Sequence, residues 1–127
     1  MTSIVVNSKD YIEHFTMTAV CTKGSVRHNY GIYFSKLDCC IVSFAQADGT
    51  GSIPRNNNYF AYVPNKFKPA NSWPLGVAIV CSGTTYTNPV RVEGVRIDTN
   101  GGLTLGNWIY GNVQTCMLSC QGIYPLH

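Results

Sequence analysis

The side chains able to do chemistry are few and scattered. The histidines are His14, His28 and His127, and the acids are Asp10, Glu13, Asp38, Asp48, Glu93 and Asp98. A catalytic imidazole needs a carboxylate to orient it, and no His-x-His or His-Glu-x-x-His spacing supplies a metal pair. His127 is the terminal residue and is expected to be disordered. Most of the acids sit in or beside turns, where Asp is a routine turn former. Two-carboxylate glycoside hydrolysis needs two inward acids facing a cleft. Asp38, Glu93 and Asp98 stand near strands, and no pattern pairs them. A Gly-x-Ser-x-Gly elbow is absent. Gly49-Thr50-Gly51-Ser52 and Asn100-Gly101-Gly102 lack the Lys and following helix of a phosphate cradle. The expectation is no catalytic residue, no metal and no cofactor.

The six cysteines are Cys21, Cys39, Cys40, Cys81, Cys116 and Cys120. An even count suits a disulfide framework only in a secretory context. The stretch Met1 to Asp10 lacks a basic region followed by an apolar one, so no signal peptide is expected. Cys81 ends the run Val77-Ala78-Ile79-Val80, and Cys39-Cys40 precede Ile41-Val42. In such settings a free thiol behaves as a small hydrophobe. No Cys-x2-Cys pair exists, and Cys116 and Cys120, if on a strand, lie about 13 Å apart. Buried free thiols are therefore expected.

Aromatic residues flanked by amides offer a different chemistry. Trp73 follows Asn71-Ser72, Tyr86 lies in Thr84-Thr85-Tyr86-Thr87-Asn88, and Asn107, Trp108, Tyr110 and Asn112 form one cluster. An aromatic face stacks on the C–H face of a neutral sugar, while amide groups pair with its hydroxyls. These six residues are the candidate saccharide site. The competing reading is that the rings plug the ends of the fold or line a subunit contact, because Trp is highly buried on average.

The elements that would carry these residues are strands. Only residues 8–14 suggest a helical turn, and the rest reads with period two. Ile4-Val5-Val6 is a short strand. Phe15, Met17, Ala19 and Cys21 alternate with His14, Thr16, Thr18 and Val20. Val26 to Phe34 is a strand with Gly31 as a bulge or close-approach point. Further strands are Leu37 to Ala47, Tyr59 to Val63, Gly76 to Ser82, Val90 to Asp98, Leu103 to Leu105 and Thr115 to Tyr124. Asn100-Gly101 marks a hairpin, since both residues tolerate positive φ. Val90 and Val92 share one face while Val95 and Ile97 take the other, which predicts a bulge near Glu93-Gly94. About eight strands with irregular segments at 48–58, 65–75 and 106–114 predict an all-β, antiparallel, jelly-roll-like β-sandwich. A length of 127 residues suits a single domain spanning 1–127, with 1–10 as an N-terminal linker strand.

Charged residues make up only 12% of the chain and hydrophobic ones 45%. The nine basic residues are dispersed, with Lys66 and Lys68 the one close pair, so nucleic acid is not an expected partner. No apolar run approaches the roughly 20 residues of a membrane helix. Several strands are apolar on both faces, whereas a two-layer sandwich buries one face of each sheet. The second face of Ile4 to Val6, Cys39 to Val42 and Val77 to Cys81 needs a cover, and subunit packing supplies it.

Residues 36–124, about 70% of the chain, hold a recognisable order. A strand Lys36 to Phe44 is followed by a Gly-rich segment, then Tyr59-Phe60-Ala61-Tyr62-Val63-Pro64 and the step Phe67-Lys68-Pro69. Val77 to Val80, Val95-Arg96-Ile97-Asp98, Thr99-Asn100-Gly101-Gly102 and Leu103-Thr104-Leu105 come next. This order resembles the C-terminal head domains of tailed-phage tail fibres and baseplate receptor-binding proteins, with Lys68 where Arg is usual. The resemblance implies a homotrimeric head on an upstream fibre or baseplate protein. It implies binding of a bacterial surface glycan during adsorption, in a virion tail assembled in the host cytoplasm and acting outside it. It transfers no binding residue. A structural tail component without a ligand site, or a polysaccharide-acting enzyme, are the alternatives.

Overall fold

The computed structural model describes residues 9–48, 53–55, 59–82, 90–105 and 113–127. Period-two patterning produces ten strands: β1 Ile12–Phe15, β2 Thr18–Ala19, β3 Ser25–Phe34, β4 Cys39–Ala47, β5 Ile53–Arg55, β6 Tyr59–Tyr62, β7 Trp73–Ser82, β8 Val90–Ile97, β9 Gly102–Leu105 and β10 Val113–Pro125. The helical content among these residues is one 3₁₀ turn, Asn65–Phe67. The all-β expectation holds, including an antiparallel sheet. That sheet is single, in the order β1-β3-β4-β10-β7-β8-β9-β6-β2, with β5 beside β10. Its two outermost strands, β1 and β2, are separated in the chain by Thr16 and Met17 alone. The sheet therefore curls round until one short segment serves both of its edges, pairing β3 through β1 and β6 through β2.

The crossing point is held by a side chain. Met17 would face Asn29 if the β1–β3 ladder continued past Phe15↔Gly31. Instead the Asn29 amide takes over both backbone groups of Met17. Its Oδ1 accepts from the Met17 N–H at 2.8 Å, and its Nδ2 donates to the Met17 carbonyl at 2.7 Å. Asn carries both functions in one planar group, so the segment can leave β3 without orphaning its backbone.

The alternation expected of residues 14–21 is what the curl uses. Phe15 and Met17 are buried, while His14, Thr16, Thr18 and Val20 face water. The expected turn at 8–14 is confined to Lys9, because Ile12 onward pairs with β3. Gly31 is a close-approach point: the Phe15 ring lies over it where a Cβ has no room. Phe15 also stacks on Phe67 at 4.4 Å between centroids. The core inside the curl includes Val42, Phe44, Ile97, Leu103, Leu118 and Tyr124. Tyr124, fully buried, donates its hydroxyl to the Phe67 carbonyl at 2.8 Å.

The predicted bulge near Glu93-Gly94 is overturned. β8 pairs with β7 without a shift through Val77↔Gly94, Ala78↔Glu93 and Ile79↔Val92. The irregularity falls in β7, between Pro74 and Gly76, where Gly76 adopts a φ of +137°. With Val95 and Ile97 fixed inward, an unbroken pleat turns Glu93 into the interior and leaves Val92 outside. Asn100-Gly101 does form a hairpin, but Gly101 alone has positive φ, at +81°. The Gly101 N–H bonds the Asp98 carbonyl at 2.9 Å and the Asp98 N–H bonds the Gly102 carbonyl at 3.0 Å. This is a three-residue loop ending in a left-handed glycine.

Irregular structure is narrower than expected. The 48–58 stretch contains β5, and 65–75 contains the 3₁₀ turn and the start of β7. The Ile4 to Val6 strand lies outside the described residues.

Two substitutions test this framework. Asn29→Ala strands the Met17 N–H and C=O and should cost about 2–3 kcal/mol in urea unfolding. Gly31→Ala forces a methyl into the Phe15 ring and should cost about 1–3 kcal/mol. Unchanged midpoints for both would refute the account of the closure.

Candidate functional site

Antiparallel pairing sorts the connections to two ends. The 35–38 turn, the 98–101 hairpin, the 3₁₀ turn, the starts of β1 and β7 and the C-terminal residues share one end, called here the hairpin end. Ser25, Ala47, Ser82, Val90, Leu105 and Val113 are strand ends directed to the opposite, far end.

This sorting divides the candidate saccharide residues. Tyr86, Asn107, Trp108, Tyr110 and Asn112 lie outside the described residues, between strand ends that point to the far end. Trp73 begins β7 at the hairpin end, opposite Ile97. It is half-buried and packs against the core, with its Nε1 buried and unpartnered.

The three acids weighed for catalysis are likewise apart. Asp38 follows the 35–38 turn with a φ of 48° and accepts from Tyr33 Oη at 2.9 Å. His127, expected to be disordered, instead places its Nδ1 2.6 Å from Asp38 Oδ2. The C-terminus is docked because the Leu126 N–H bonds the Asp38 carbonyl and the Leu126 carbonyl accepts from Ala70. The His127 hydrogen bond is the main reason the Asp38 carboxyl titrates below its ordinary value. Glu93 is buried in the middle of β8.

Asp98 sits at the hairpin end in a polar network. Arg96 Nε donates to its Oδ1 at 2.6 Å, Arg96 Nη2 to its Oδ2 at 3.2 Å, and Tyr59 Oη to its Oδ2 at 2.6 Å. Arg96 first, then Tyr59 and Ser72, hold the carboxyl below its usual range. The same bond raises the Tyr59 phenol. All four Asp98 contacts stabilise the fold, and none presents a reactive group. Among the described residues, no three His, Cys, Asp or Glu side chains gather as metal ligands.

The outer surface shows what the sequence led one to expect of strands apolar on both faces. One row across five strands is His28, Ala45, Ser119, Ile79 and Val92. Beside it run Tyr30, Ser43 and Gln121, with Val77 and Gly94 on β7 and β8, then Ile32, Ile41 and Ile123. No Asp, Glu, Lys or Arg occupies any of these positions. Val77, Ile79, Val92 and Ile123 are 46–67% exposed. A shallow hollow of about 230 Å³ lies between Val77, Ile79, Ser119 and Gln121. A second hollow, about 630 Å³ and mainly apolar, runs along Tyr11, Ile12, Phe34 and Leu37 at the hairpin end. Sequence reading missed it, since it forms only when the start of β1 meets the end of β3.

No protein-family model matches this chain, and no curated protein matches it in sequence.

Asp98 supplies a pH test. Its folded pKa is depressed, so its contribution is full above the unfolded carboxyl's 3.8 and is lost as the pH falls from there through the lower folded value. Asp98→Asn should lower stability at neutral pH by about 1–3 kcal/mol and flatten the loss of stability below pH 4. Thermal melts between pH 2 and 7 check both limbs.

Proposed function

We propose that this domain is a phage tail receptor-binding head that attaches to a host-surface saccharide and works as a homotrimer. In this reading the curled sheet is the jelly-roll-like sandwich of a fibre head, joined to an upstream fibre or baseplate protein and acting outside the cell in which it was assembled. The polarity of the fold is the observation that carries it. Residues 9–12 enter at the hairpin end, so an upstream fibre attaches there. The connections holding Tyr86, Asn107, Trp108, Tyr110 and Asn112 leave from strand ends directed away from it. Stacking rings with amide neighbours at the end remote from the stalk suit a neutral sugar. Trp73, half-buried near the stalk, serves as a plug.

The uncharged outward rows, from His28 to Val92 and from Ile32 to Ile123, form the subunit contact, with Arg96 outward on β8 at its margin. Burying these rows strips water from no charged group, and their exposed Val and Ile side chains supply the apolar centre of an interface. Binding without catalysis is the role assigned.

Light scattering should give three times the 14.0 kDa chain mass. Ile79→Glu places a carboxylate in the contact and should yield a folded monomer. A glycan array should show binding that Trp108→Ala abolishes and Trp73→Phe leaves. A monomeric parent protein would refute the trimer, and a trimer blind to every glycan would leave a structural tail component.

A further inference from the structure

Cys81 and Cys116 are neighbours on the adjoining strands β7 and β10, close to the far end. The ladder places Thr115 opposite Ser82 and Met117 opposite Cys81, so Cys116 is the extra residue at the irregularity between them. Both side chains are buried, at 2% and 0% exposure. Cys116 Sγ lies 3.8 Å from the Cys81 carbonyl oxygen, and the Cys81 thiol is near enough to hydrogen-bond with it. A disulfide bridges Cα atoms about 4.4–6.8 Å apart, and the irregularity sets Cys116 next to Met117, the residue opposite Cys81. The other four cysteines are placed differently. Cys39 and Cys40 are adjacent on β4 and point to opposite faces, Cys120 lies in the main core cluster, and Cys21 is in the connection between β2 and β3, its thiol on the Lys23 carbonyl.

We propose that Cys81 and Cys116 are a latent cross-strand disulfide, reduced in a thiol-rich compartment and closed by a hydroperoxide or disulfide oxidant. With hydrogen peroxide, one thiolate attacks the peroxide oxygen, giving a sulfenic acid and water. The second thiol then displaces that hydroxyl, giving the S–S bond and a second water. Two thiols lose two electrons and two protons, and one peroxide is reduced to two waters. The bond would join β7 to β10 beside the connections 83–89 and 106–112. It would fix the spacing of the strand ends from which both depart. Burial holds the Cys116 thiol above its ordinary pKa, so closure is slow and selective, since the thiolate is the reacting form.

The test uses the native, fully reduced protein. After treatment with hydrogen peroxide or diamide, the protein is unfolded, its free thiols are alkylated and its peptides are mapped by mass spectrometry. Alkylatable thiols should fall from six to four, with one linked peptide pair joining Cys81 to Cys116. The melting temperature should rise by on the order of 10 °C, because a crosslink closing a loop of this length restricts the unfolded chain. Cys116→Ala should keep its remaining five thiols under the same treatment. Retention of all six thiols in the parent, or a linkage that uses any other cysteine, would overturn the proposal.

Discussion

Closure of the sheet on residues 12–19 is the constraint on which the rest depends. A curled antiparallel sheet leaves two raw edges, each a row of unpaired N–H and C=O groups. Here both edges are satisfied by one segment, which pairs β3 and then β6. The change of partner occurs at Met17, and Asn29 covers the two backbone groups that neither ladder can take. Phe15, one turn of the pleat earlier, fills the space over Gly31 and against Phe67. Edge pairing, backbone satisfaction and core filling are thus concentrated in the eight residues 12–19.

Closure also gives the molecule two unlike ends. At the hairpin end the chain is tied repeatedly: Tyr124 to Phe67, Leu126 to Asp38 and Ala70, His127 to Asp38, and Arg96 with Tyr59 to Asp98. Those to the Asp38 and Asp98 carboxylates are charge-assisted, the stronger class of hydrogen bond. The far end receives the strand termini that bracket the aromatic-amide connections.

The outer face of β3, β4, β10, β7 and β8 adds a third property. A solvated surface ordinarily carries a mixture of charges, yet the outward rows from His28 to Val92 and from Ile32 to Ile123 carry none. The inversion at Val92 and Glu93 accentuates this, because it exports a Val and imports a carboxylate.

Much of this was legible in the residues. Alternation at 14–21, on β4 and on β10 determined the strands and their inward faces, since a pleat exposes side chains with period two. Gly31 announced a close approach and Asn100-Gly101 a hairpin. What the sequence could not reveal depends on partners distant along the chain. That Met17 changes ladders rests on strands centred near residues 30 and 61. The phase slip at 90–97 was visible, but its resolution in β7 and not β8 depends on register with Gly76. His127 docks because the 35–38 turn presents Asp38 beside it, 89 residues away. Local pattern determined which side chains face inward on β4 and β10, while tertiary pairing decided the faces of β8 and which side chains meet, because register is a property of two strands and not of one.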